Sequence, residues 1–144
     1  TSPLSMTAPI GQYHVAVRHR NHLGCMTATP LFLDRDPLTI DLRSPTTNTW
    51  GTNARRNVSG TMQLWPGNSA ADATIKYTGT ANDRDAVLQV IGGAVPTHTV
   101  NGYLPQDTNL DGTVKYTGLG NDRDLILQSI GGTVPTSTVQ EQLP

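Results

Sequence analysis

Residues 75–100 read IKYTGTANDRDAVLQVIGGAVPTHTV, and residues 114–139 read VKYTGLGNDRDLILQSIGGTVPTSTV. At an offset of 39 residues, 18 of these 26 positions are identical, so the second half of the chain is a tandem duplication. The copies span about 67–100 and 106–139. Each copy carries an apolar run opened by Asn and Asp, over 83–91 and 122–130, and closed by Gly-Gly with a proline three or four residues on. Acidic residues suit the positive end of a helix, and glycine suits its exit, so the pattern predicts two short helices. Val87 and Ile91 recur as Ile126 and Ile130, an i, i+4 stripe too short to be stable alone. The two stripes are expected to pack on each other as a pseudo-two-fold pair.

Just ahead of the second copy stands Asp107-Thr-Asn109-Leu-Asp111-Gly112-Thr113-Val114. Ca²⁺ takes about six to eight oxygen ligands, which an EF-hand-type loop presents at alternate positions before a sharp glycine turn. Asp107, Asn109 and Asp111 take the first three side-chain positions, Gly112 makes the turn and Thr113 offers its carbonyl. The usual last position falls on Gly118, which has no carboxylate. The extra residues before the helix let Asp122 supply the final carboxylate, with Asp124 as a further ligand or as the helix cap. The first loop is degraded, because Asn68, Ala70, Asp72 and Ala73 align with Asp107, Asn109, Asp111 and Gly112. Asn68, Asp72, the Thr74 carbonyl, and Asp83 or Asp85 remain as donors. The expectation is one calcium ion in the second loop and a weaker site in the first.

The first half has a different grammar. Tyr13 to His19, Met26 to Leu33, Leu38 to Leu42 and Val58 to Trp65 read as strands, with turns at Asn21–Gly24 and Asp34–Pro37. Tyr13, Val15, Val17 and His19 fall on one face of the first strand. So few strands make a poor sandwich by themselves. Thr1–Pro9 reads as the end of a longer β unit, which a neighbouring chain completes by strand addition or which the second half closes. The fold expected is mainly β with short helices: a β-sandwich-like unit over 1–65 and the calcium-binding tandem repeat over 66–144.

Composition narrows the function classes. Net charge is −1, which gives no footprint for nucleic acid. Residues 1–65 carry six Arg against three Asp, whereas residues 66–144 carry four Lys or Arg against eight Asp or Glu. Bound cations would offset that acidic excess. No apolar run approaches the roughly 20 residues that span a bilayer, so membrane insertion is not expected. Cys25 is the single cysteine, and stabilisation by metal or self-association takes the place of a disulfide. The start at Thr1, with no signal peptide, reads as a processed product.

The run DTNLDGTVKY followed by a short apolar helix, duplicated, resembles dockerin-type calcium repeats. YHVAVRHRNHLG followed by two KYTG…NDRD…IGG…PT repeats is similar to the C-terminal region of large secreted or surface bacterial proteins. In those, a β-sandwich-like unit precedes a tandem dockerin-like pair. The resemblance covers nearly the whole chain. It implies an extracellular or cell-surface location, where millimolar calcium fills weak sites. This chain departs from the pattern in its first loop and in the missing N-terminal β segment.

No catalytic motif is present: there is no G-x-S-x-G, Walker loop or dinucleotide fingerprint, and Cys25 has no base partner in a motif. A zinc reading of His14, His19, His22 and Cys25 is weaker than a structural one, because i, i+3 at a strand-to-turn junction assures no ligand geometry. Asn57-Val-Ser59 is a glycosylation sequon, and Pro96–Thr99 and Pro135–Thr138 are Thr-rich acceptor segments. The sequence thus points to a non-catalytic, calcium-stabilised structural module of an extracellular assembly. It joins itself or a neighbour by strand addition, with a fibre as one extension. The alternatives are a dockerin-like module docking to a protein receptor or glycan, and an accessory domain of a secreted enzyme.

Overall fold

A computed structural model describes residues 4–5 and 7–144. The chain is mainly β, with two short helices, and among the described residues every sheet is an antiparallel two-stranded ribbon. The expected sandwich of packed sheets is not among these pairings. The proposed trailing β unit at Thr1–Pro9 lies partly outside the described residues, and Leu4, Ser5 and Thr7–Pro9 form no strand.

The N-terminal strands form one broken arm. Strand β1 (Gly11–Tyr13) pairs with β4 (Leu31–Leu33), and nested inside them β2 (Ala16–His19) pairs with β3 (His22–Met26). The register slips between Val17 and His19, so the long strand expected over 13–19 is split and bent. The arm turns at Arg20–Asn21, two residues earlier than the sequence suggested, and the expected turn Asn21–Gly24 is instead mostly strand. Tertiary contacts explain the shift. Leu23 is buried in the common core, and its N–H donates to the Trp65 carbonyl at 2.9 Å. Residues 38–42 form no strand. Arg55 gathers the carbonyls of Leu42, Ser44 and Thr47 around its guanidinium and holds this stretch as a loop. Strands β5 (Arg56–Val58) and β6 (Thr61–Gln63) form a hairpin around Ser59 and Gly60, whose φ values of 51° and 86° suit a two-residue turn.

In the second half the duplication is an interlock. Strands β7 (Thr74–Lys76) and β8 (Thr99–Asn101) and helix α1 (Asp83–Val90) come from the first copy. Strands β9 (Thr113–Lys115) and β10 (Thr138–Gln140) and helix α2 (Asp122–Ser129) come from the second. Both ribbons cross between copies: β7 pairs with β10, and β8 with β9. The crossing is symmetric in its side-chain bonds as well. The Thr78 hydroxyl donates to the Pro135 carbonyl and the Thr117 hydroxyl to the Pro96 carbonyl, each at 3.0 Å. The core contains Ile75, Val87, Ile91, Val114, Ile126, Ile130 and Val139 together with Leu23, so the helix stripes meet as expected.

Both helices end alike. Gly93 N–H donates to the Leu88 carbonyl and Gly92 N–H to that of Gln89, and Gly132 and Gly131 repeat the pattern on Leu127 and Gln128. This closure needs a left-handed residue after the cap, which Gly92 (φ 104°) and Gly131 (φ 108°) supply.

Candidate metal centre

The second loop is organised by its own side chains. Asp107 Oδ1 accepts the Asp111 N–H and Oδ2 the Gly112 N–H, both at 3.1 Å. Asn109 Oδ1 accepts the Asp111 N–H at 2.9 Å, and Asp111 Oδ1 accepts the Thr113 N–H at 2.8 Å. Each bond folds the backbone back on a side chain two to five residues earlier, so Asp107, Asn109 and Asp111 share one tight coil. Leu110 sits in this coil at φ 65° and Gly112 at φ 86°. Ile75 and Val114, the residues that follow the two loops, are fully buried and pin both to the core.

Asp122 has a distinct position. It is fully buried, and it accepts from Thr108 N–H at 2.7 Å and Asn109 N–H at 3.2 Å through Oδ1, and from Lys115 N–H at 2.8 Å through Oδ2. Asp83 repeats this in the first copy, accepting from Ala70 N–H at 2.9 Å and Lys76 N–H at 2.7 Å. Burial pushes the Asp83 carboxyl up to about 6 against the pull of those two N–H groups, and burial also raises Asp122. The first copy keeps this clamp although its loop has lost donors. The shared aspartate therefore fastens loop to helix in both copies, a role the spacing alone did not reveal.

Asp124 and Asp85 belong to helix caps. The Asn121 side chain accepts the Asp124 N–H and donates to its Oδ2, and Asn82 does the same with Asp85. Asp124 also lies 2.9 Å from Arg123 and Asp85 3.2 Å from Arg84, and its bonds with Asn121 and Arg123 hold the Asp124 carboxyl below the usual range.

In the first loop, Asn68 Oδ1 accepts the Asp72 N–H at 3.0 Å, while Asn68 Nδ2 donates to the Asp72 carbonyl. Asp72 Oδ1 accepts the Thr74 N–H at 2.7 Å. Ala70, at the middle position, offers no side-chain oxygen. Thr74 and Thr113 each open the strand that leaves their loop.

Among the described residues no three His, Cys, Asp or Glu side chains converge as a ready-made cage. The second loop nonetheless fits a hard cation in donor chemistry, with two carboxylates, an amide oxygen and a backbone carbonyl on one coil. Two cations of the protein stand close. Arg20 lies 3.2 Å from Asp107 Oδ2, and Lys115 lies 3.6 Å from Asp111 Oδ2.

The arm reaches this loop through its tip, Arg20–Asn21. Arg20 also donates to the Leu104 carbonyl at 3.1 Å and stacks 3.8 Å from the Tyr103 ring. Asn21, fully buried, donates through Nδ2 to the Asp107 carbonyl, and its own carbonyl accepts the N–H groups of Gly67 and Asn68 at 3.0 Å. One residue thus bridges the entrances of both loops. The polar run Arg18-His-Arg-Asn-His22 is expected from its sequence to hydrogen-bond loop carbonyls or to face a partner, and Arg20 and Asn21 do bond the Leu104 and Asp107 carbonyls. Asn57 is exposed in the β5–β6 hairpin, and its Oδ1 accepts the Gly60 N–H at 2.9 Å.

Comparison with protein-family models, curated proteins and solved structures finds no match to this chain.

Proposed function

We propose that this chain is a non-catalytic, calcium-stabilised structural module of an extracellular or cell-surface assembly in bacteria. The observation that carries the reading is the Asp107–Asn109–Asp111 coil, in which three oxygen-bearing side chains alternate along a loop closed by Gly112. Asp107, Asn109, Asp111 and the Thr113 carbonyl would hold the ion, with Asp122 fixing the loop against α2. A bound calcium ion supplies positive charge that ties these oxygens together. Asn68, Asp72 and Asp83 offer the first loop a weaker version of the same site. The interlocked copies then act as a rigid clamp, a dockerin-like pair in function.

The β half is the joining element. The β1–β4 ribbon is two-stranded, and Ile10, Phe32 and Leu38 beside it are exposed. A strand from a neighbouring copy would complete it towards a sandwich, and head-to-tail repetition of that contact leads to a fibre. Electron microscopy with and without chelator tests this. Calcium-dependent assemblies are expected, and dispersed particles in both conditions would refute assembly.

A second reading is favoured by Val95 and Val134, which hold equivalent places after the two Gly-Gly stops and are both exposed. A duplicated apolar feature of this kind suits a docking module with a receptor or glycan partner. Saturable capture of one such partner, with no self-association, would support it over the first.

A further inference from the structure

Two imidazole nitrogens and one amide oxygen meet at the tip of the N-terminal arm. His19 Nδ1 lies 3.0 Å from Asn21 Oδ1, His22 Nδ1 lies 2.8 Å from the same oxygen, and the two Nδ1 atoms are 2.9 Å apart. The rings stand nearly perpendicular, at 84°. The Asn21 amide cannot turn to relieve this contact, because its Nδ2 is committed to the Asp107 carbonyl.

Counting protons shows that the triangle cannot be closed by hydrogen bonds. The amide oxygen brings no hydrogen, so each of its two contacts needs an imidazole Nδ1–H. If both rings carry that proton, two hydrogens face each other across the third side. If one ring carries it, the bare Nδ1 of the other faces the amide oxygen, lone pair to lone pair. No pair of neutral tautomers satisfies all three sides. A cation above the triangle uses all three lone pairs at once.

We propose that His19 Nδ1, His22 Nδ1 and Asn21 Oδ1 form one face of a binding site for a divalent first-row transition-metal ion, with water completing its shell. Donors this close, each about 2.1 Å from an ion, subtend roughly 90° at it. That is the angle between neighbouring ligands in octahedral coordination, so Ni²⁺ suits the spacing as found. Tetrahedral Zn²⁺ would need the donors about 0.5 Å further apart. Imidazole nitrogen separates this site chemically from the all-oxygen calcium loop. His14 and Cys25 take no part. His14 Nδ1 is 2.8 Å from the Thr27 carbonyl, and Cys25 is buried on β3 against Val17. Arg20 and Arg56 both place positive charge near His22 and oppose a cation. That opposition keeps the affinity below that of a carboxylate-bearing site.

The test is calorimetric titration of the full chain with NiCl₂, and separately ZnCl₂, in the presence of calcium at pH 7.5. One ion per chain is expected. Affinity should fall by more than about tenfold in His19→Ala and in His22→Ala, and stay unchanged in Asp111→Ala. No binding by the unaltered chain, equal binding by both histidine variants, or a loss in Asp111→Ala alone would each overturn the proposal. Should the histidine variants misfold, Ni²⁺ added to the unaltered chain decides the matter by NMR. Paramagnetic broadening centred on His19, Asn21 and His22 supports the site, and broadening centred elsewhere overturns it.

Discussion

Arg20 Nη2 lies 3.2 Å from Asp107 Oδ2, so the tip of the N-terminal arm places a guanidinium on the first donor of the proposed calcium site. The pair is well shielded, with side-chain exposures of 15% and 2%. A cation of the protein and a bound ion would compete for one carboxylate. Arg20→Gln should therefore tighten calcium binding by about three- to tenfold, on the order of 1 kcal/mol for a unit charge removed beside a ligand. Without calcium the same variant should lose about 3 kcal/mol of stability, because Asp107 is left buried and unpaired. Calorimetry and chemical denaturation with and without chelator check both halves. Unchanged affinity would place the ion away from Asp107.

Asp83 and Asp122 should matter equally, although Asp122 stands beside the fuller donor set. Each accepts from two or three backbone N–H groups of its loop and the strand that follows. Removing a buried acceptor costs about 1–3 kcal/mol for each donor orphaned, so Asp83→Ala and Asp122→Ala should each lose roughly 3–5 kcal/mol in chelator. Asp124→Ala removes part of a cap and should lose about 1 kcal/mol. Denaturation curves that leave Asp83→Ala within about 0.5 kcal/mol of the parent would contradict the clamp.

The repeat was legible in the sequence for a physical reason. Helices α1 and α2 are local objects: Asn82 and Asn121 cap the start, Gly92 and Gly131 take the left-handed exit, and each signal lies within a dozen residues. The cross-copy ribbons were not legible. Thr99–Asn101 and Thr138–Gln140 are three-residue strands whose partners lie in the other copy, and nothing local marks them. The sequence predicts two continuous strands, 13–19 and 26–33, on either side of a turn; the register slip and the earlier turn at Arg20–Asn21, which depend on where the tip docks, break the arm into two nested ribbons. Asp122 is expected from the sequence as the last calcium ligand, whereas its two oxygens accept backbone N–H groups, which spacing does not show.

Leu110 should be replaceable with profit. It holds φ 65° in the second loop, as Ala71 does at 56° in the first, and a Cβ in that region costs about 1–2 kcal/mol. Its side chain is half exposed and gives little back. Leu110→Gly should stabilise the protein by about 0.5–1 kcal/mol after the added freedom of the unfolded chain is counted. A lower melting temperature would show that the leucine contributes packing of its own.

The pH response should be visible residue by residue and muted overall. Burial pushes His22 down to about 4, helped by His19, Arg56 and Arg20. The folded ring binds protons less readily than the unfolded one, so its contribution is full above 6.5 and is lost as pH falls through 4. Asp83, raised to about 6, acts the other way: its contribution is full below 3.8 and is lost as pH rises through 6. The two windows overlap and oppose, which hides both in a global melting profile. NMR titration of metal-free protein should show His22 neutral down to about pH 4. A midpoint near the ordinary histidine value would contradict the shielding described for the tip.

The most direct test of the central claim is calorimetric titration of the purified chain with calcium, beside Asp111→Ala. One well-defined site is predicted in the parent, with a rise in melting temperature that Asp111→Ala abolishes, and a second, weaker site at Asn68–Asp72 that the substitution spares. A parent that neither takes up calcium nor gains thermal stability from it would contradict the account.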